Sequence, residues 1–204
     1  MRRSYQIRKF VVYAIYLLLF STVQVTFPGY LSIYGIRPDL MFVLVVLCAY
    51  MFGFYDGIIF GALAGMIRDY FSAPSITGID GTVTTAFGIG LLLMFAAAAF
   101  GSSFFTERIE RNFVLSLVAV LIATLVYKTV GHTVIFIWSK IVGMTYNLEL
   151  SQILLKSVLP QMLLNLVAAV PLYLLLRFAG PYKGGVNPVL IDEKRKGDNA
   201  WLTM

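Results

Sequence analysis

Two titratable side chains stand inside a stretch that is otherwise apolar. Lys128 and His132 are four residues apart in the run from Asn112 to Trp138, a spacing that puts both on one face of a helix. Counting about 1.5 Å per residue from Asn112 sets Lys128 in the outer half of a bilayer. An ionisable group at that depth is costly and often functional. The pair therefore reads as the wall of an outward-facing pocket, against the plainer reading of a lysine snorkelling to the interface along its aliphatic stem. Lys156, near the start of the last apolar run, reads as such a snorkelling side chain. A second charged set frames the stretch from Arg37 to Gly81, with Arg37 and Asp39 at entry and Arg68 and Asp69 where the second of two apolar runs ends. If the stretch folds back on itself, Asp39, Arg68 and Asp69 meet beside Arg37 as one charge-balanced cluster. Asp56 then caps the turn between the runs.

These residues do not compose a catalytic constellation. One histidine and one cysteine cannot build a His/Cys metal site. There is no Gly-x-Ser-x-Gly, no phosphate-cradling glycine loop and no His-Glu-x-x-His. Paired carboxylates are absent from the apolar runs. The expectation is a protein that is not an enzyme and uses no metal or cofactor. Cys48, alone in an apolar run, can form no internal disulfide.

The elements that must position these groups are helices in lipid. Of 204 residues, 59% are hydrophobic and only 13% charged, where soluble domains carry about 25% charged residues. Mean hydropathy is +0.84. The fold expected is an all-α integral membrane protein. Arg2, Arg3, Arg8 and Lys9 precede the run from Phe10, and no small-x-small cleavage site follows, so the first span reads as uncleaved. Spans are expected at about 10–27, 36–54, 55–71, 82–105, 112–138 and 159–178, forming one transmembrane domain over 1–179. Residues 151–158 read as an interfacial segment, Pro38 as part of the first turn of span two, and 180–204 as a disordered cytoplasmic tail rich in Pro, Gly and charge.

Charge decides between six spans and five. The segment 36–71 can be two short spans or one long helix. With two, eleven Lys and Arg lie inside and three, Arg37, Arg68 and Lys140, lie outside. With one, the count becomes six inside against eight outside. The positive-inside rule favours a six-helix bundle with both termini cytoplasmic. The net charge of +6 is thus a topology signal and gives no reason to expect a nucleic-acid partner.

Gly53, Gly57, Gly61 and Gly65 recur every four residues, and Ala96 to Gly101 form a second small-residue face. Small residues let helix backbones approach closely, which is how helices associate in lipid. The faces at Gly53, Gly57, Gly61, Gly65, Ala96 and Gly101 are read as candidate docking surfaces for a partner helix, with internal packing of the hairpin as the plainer alternative.

The stretch resembles the MreD family of rod-shape-determining membrane proteins. The resemblance lies in Pro38-Asp39-Leu40 opening an apolar helix, in Gly57, Gly61 and Gly65, in Asp69 after the second run, and in Ser75 to Gly78 before the next helix. It departs from the family at Arg68, where an apolar neighbour to Asp69 is expected. The resemblance implies a multi-pass protein of the bacterial cytoplasmic membrane that takes part in peptidoglycan synthesis as a scaffold of the elongation complex. It implies an MreC-like bitopic partner and, through it, a RodA-type glycosyltransferase, a penicillin-binding transpeptidase and the actin-like MreB. Six short spans with both ends inside also look like the S-component of an energy-coupling-factor vitamin importer. Such subunits dock through small residues four apart in span one, whereas Ala14 and Ser21 here are seven apart.

Overall fold

A computed structural model describes residues 2–72, 75–77, 83–85, 87–103, 112–141, 153–182 and 187. The elements, in order, are α1 (Arg2–Thr26), α2 (Leu40–Phe52), α3 (Phe54–Ser72), β1 (Ser75–Thr77), β2 (Val83–Thr85), α4 (Ile89–Ser103), α5 (Phe113–Ile141) and α6 (Leu159–Ala179). Apart from the small antiparallel pair β1–β2, in which Ile76 faces Thr84, the described fold is helical. Among the described residues, three helices are long and apolar enough to cross a membrane: Gln6–Thr26, Phe113–Ile141 and Leu154–Ala179. Leu40–Phe52 and Ile89–Ser102 are shorter apolar helices.

All thirteen residues of α2 are buried. A helix that is apolar all round suits either a protein core or lipid; here it is the core, because α2 touches each of the other five helices. At 1.5 Å per residue it is about 20 Å long, well short of the roughly 30 Å hydrocarbon core. Its ends therefore lie within the bundle and must be satisfied by protein groups.

The chain reverses at Gly53, whose φ of 97° is a conformation side chains rarely adopt. Residues 36–71 are accordingly two antiparallel helices: Ala49 lies against Gly57 and Val45 against Gly61, and Asp39 pairs with Arg68. Opposed contacts repeat around α2. Phe42 stacks on Tyr127 with ring centroids 4.4 Å apart, while the Tyr50 hydroxyl donates to the Asn112 carbonyl at 3.1 Å, so α5 runs against α2. Asp39 meets Asn165 and Phe52 lies by Gly180, so α6 runs with it. The six helices alternate in direction between an Asp39 end and an Asp56 end.

Four expectations change. Pro38 lies outside α2, because Asp39 is the N-cap and Leu40 the first helical residue. The expected fourth span loses its start, since the β-branched run at Val83–Thr85 forms β2 and α4 begins at Ile89. The expected interfacial segment is joined to the last span: Leu154–Val158 is a π-helical turn that runs directly into α6. The start of the expected disordered tail is packed. Tyr182 and Asn187 are buried because they serve polar groups at the α2–α3 turn, described below. The turn expected at 106–111, most of the polar loop at 139–150 and the remainder of the tail lie outside the described residues.

Candidate functional site

The buried N-terminus of α2 gathers polar side chains from several helices. A helix start leaves backbone N–H groups without intrahelical partners, and in lipid each costs several kcal/mol if left unmet. Here side chains from two other helices, α1 and α6, and the cap residue itself meet them. The Asp39 N–H donates to Asn165 Oδ1 at 2.8 Å and the Leu40 N–H to Gln24 Oε1 at 2.8 Å. The Phe42 N–H donates to Asp39 Oδ1 at 3.1 Å, the usual N-cap bond of an aspartate. The carbonyls leading in are served too, Pro38 by Gln24 Nε2 at 3.0 Å and Arg37 by Gln161 Nε2 at 2.9 Å. Gln161 also donates to Asn165 Oδ1, and Asn165 Nδ2 donates to Thr124 Oγ1 at 3.1 Å. Arg37 thus contributes its backbone, and its side chain is exposed.

Asp39 Oδ2 takes Arg68 Nη1 at 2.6 Å. The guanidinium lies over the Tyr127 ring, 5.2 Å from its centroid, a cation–π placement worth more when desolvated. Asp69 does not join this pair. Its carboxylate accepts from the backbone N–H groups of Gly88 at 3.0 Å, Gly90 at 2.7 Å and Leu91 at 2.9 Å, capping α4 from the neighbouring helix. The expected single cluster is therefore two units with separate tasks, since consecutive residues on a helix point about 100° apart and Arg68 and Asp69 cannot face the same neighbour.

Lys128 and His132 do share a wall. With Arg68, Tyr127, Gly131 and the start of α4 they line a cavity of about 130 Å³. His132 Nε2 is 3.1 Å from Ser157 Oγ on the π turn. A second cavity of about 210 Å³ lies on the other side of the Asp39–Arg68 pair, lined by Ser21, Gln24, Met41 and Phe71 among others.

At the opposite end Asp56, buried, is ion-paired with Lys9 and accepts from the Tyr182 hydroxyl. Burial first, and then the Asp56 carboxylate, hold that hydroxyl protonated well above the usual tyrosine range, so it stays a donor. Asn187 Nδ2 donates to the Phe52 carbonyl at 3.0 Å, Arg8 Nη2 to the Gly180 carbonyl at 3.2 Å, and the Tyr16 hydroxyl to the Ala179 carbonyl at 2.8 Å. Asp56 is thus more than a turn cap. It ties α1 and the segment after α6 to the α2–α3 reversal.

The small-residue faces are used inside the fold. A methyl at Gly57 would overlap Ala49 of α2. One at Gly61 would lie 3.0 Å from the Met94 carbonyl of α4, and one at Gly65 would lie 2.5 Å from Leu91 Cα. One at Gly101 would lie 3.0 Å from the Val46 carbonyl, and Gly53 makes the buried reversal. These five glycines cannot receive a partner helix, because the α2–α3–α4 unit already fills the space they leave. Ala96 alone of the set is exposed.

Gln24, Thr124, Gln161 and Asn165 were not among the expected site residues. The available signal was polar amides in apolar runs, above all Gln161 and Asn165 four apart near Pro160.

A helix bundle built on an apolar central helix, with its ionic groups gathered at the two ends, defines a helical membrane protein. The family model for rod shape-determining protein MreD matches residues 4–178, and the chain belongs to the MreD family. No curated protein and no solved structure gives a significant match. Membership points to a role in rod-shape determination.

Proposed function

We propose that this protein is a non-enzymatic scaffold of the bacterial cell-wall elongation complex, holding the single transmembrane helix of an MreC-like partner. The observation that carries the reading is the family match across residues 4–178. The polar groups support it: Asp39, Arg68, Asp69, Gln24, Gln161 and Asn165 serve helix ends and one another, the use expected of a rigid docking body. Connection to a RodA-type glycosyltransferase, a penicillin-binding transpeptidase and MreB would run through that partner. The topology proposed with it is six spans in an S-component-like arrangement in the cytoplasmic membrane, both termini inside. Alternating helix directions favour it, as does the placement of Arg8, Lys9 and Arg177 at the Asp56 end. The receiving surface in this reading excludes the glycine ladder.

Depletion should make a rod-shaped host round up, and co-expression with an MreC-like partner should give a complex that survives detergent. Nanomolar vitamin binding together with co-purification of an ATP-driven importer would overturn the scaffold reading in favour of the transporter subunit.

A further inference from the structure

The cavity at Lys128 and His132 has an apolar neighbour along α5. Beside it, sharing Leu93 and Tyr127, lies a trough of about 200 Å³ between α4 and α5, lined by Ala96, Ala97, Phe100, Ala123, Val126 and Val130. Apart from the Tyr127 hydroxyl, every side chain lining the trough is apolar. Together the two span thirteen residues of α5, from Ala123 to Ile135, a rise of about 18 Å. That is close to the depth of one leaflet, half of the roughly 30 Å hydrocarbon core. The polar part lies toward the Asp39 end and the apolar part toward mid-membrane.

The charges at the polar part are unevenly matched. Arg68 has Asp39, and Asp69 is held by three backbone N–H groups of α4. Lys128 has no carboxylate partner among the described residues. A lysine within a helix that crosses lipid needs a counter-charge or a route to water. A cavity of about 130 Å³ holds the liquid volume of about four waters, room for a phosphate-sized group.

We propose that this groove binds one anionic phospholipid, its headgroup phosphate against Lys128 and His132 and an acyl chain along the Ala96–Phe100 and Ala123–Val130 walls. Ala96, exposed and small, leaves the trough open to a chain. Arg68 contributes field to the site, while its own hydrogen bond stays with Asp39.

The test uses the full-length protein in detergent micelles doped with phosphatidylglycerol or phosphatidylcholine, with bound lipid counted by native mass spectrometry. One phosphatidylglycerol should be retained in preference to phosphatidylcholine by about fivefold, the effect of one basic side chain near a phosphate. Lys128→Gln should abolish the preference and Lys128→Arg should keep it. Ala96→Phe should reduce retention of both lipids, because it fills the trough and leaves the cation. Equal retention of the two lipids by the wild type would overturn the proposal, as would a preference unchanged in Lys128→Gln. Full displacement by millimolar inorganic phosphate would also overturn it, showing that the acyl chain contributes nothing. A partner helix that competes with the lipid and binds equally well to Lys128→Gln would assign the groove to a protein instead. If Lys128→Gln fails to fold, Ala96→Phe and the phosphate competition still decide.

Discussion

Asp39 performs three tasks with one residue. It caps α2, neutralises Arg68, and gives its own N–H to Asn165. Arg68→Ala should destabilise by leaving a buried carboxylate without its cation, and Asp39→Ala should cost more because the cap goes with the charge. The double variant should lose less than the sum of the singles, by about 1–3 kcal/mol, as contacting residues do. Thermal unfolding in detergent measures this, and additive losses would separate the two groups. Arg68 and Asp69 should behave differently. Their hydrogen-bond partners are distinct, so the coupling between Arg68→Ala and Asp69→Ala should be smaller than that between Arg68→Ala and Asp39→Ala in the same assay. The sequence made Pro38-Asp39-Leu40 conspicuous, since an aspartate before an apolar run is a helix start. It did not reveal that Asn165, 126 residues away, completes that start. An amide in an apolar helix announces only that it needs a partner, and the helix packing decides which one it finds.

Among the described residues, α2, α3 and α4 pack closely because glycines stand at their crossings. The four-residue glycine spacing was visible as a contact face, but spacing alone cannot say whether a neighbour in the chain or a separate protein fills it. The fold gives the answer: all thirteen residues of α2 are buried among their neighbours, and a methyl at Gly57 or Gly101 would meet α2 itself. Gly57→Ala should lower the yield of folded protein, since its methyl would overlap Ala49; overpacking of this kind costs about 1–3 kcal/mol. Ala49→Gly in the same chain should recover part of the loss by removing the opposing methyl. Leu63→Ile, on the exposed side of α3, should be mild in the same assay of monodisperse protein. Normal yield for Gly57→Ala would show that α3 can move away from α2 without cost. The π turn before α6 was beyond sequence reasoning, because the sequence around Leu154–Val158 carries no punctuation to mark one inserted residue in a helical repeat.

For the whole molecule, the decisive quantity is the direction in which each helix runs. The charge distribution asks for two crossings between residues 36 and 71, and the reversal at Gly53 supplies two antiparallel helices there. α3 carries Asp56, Arg68 and Asp69 near its ends, too polar to be recognised by apolar length alone, yet each charge is held by a partner. Lys9 and Tyr182 serve Asp56 at one end, and Asp39 and the α4 terminus serve the others at the opposite end. With its charges so placed, α3 is compatible with a crossing, and the six-pass topology proposed above puts both chain termini on one side. Single cysteines in a Cys48→Ala background test this; alanine suits the buried position of Cys48 better than a polar residue. Tyr34→Cys, exposed at the Asp39 end, should react with a membrane-impermeant maleimide in intact cells. Gln6→Cys, exposed near the start of α1, should react only after permeabilisation, and so should Phe178→Cys at the end of α6. If Phe178→Cys were labelled in intact cells while Gln6→Cys was protected, the number of crossings would be odd. The clasp that joins Lys9, Asp56 and Tyr182 could not then lie on one side of a bilayer.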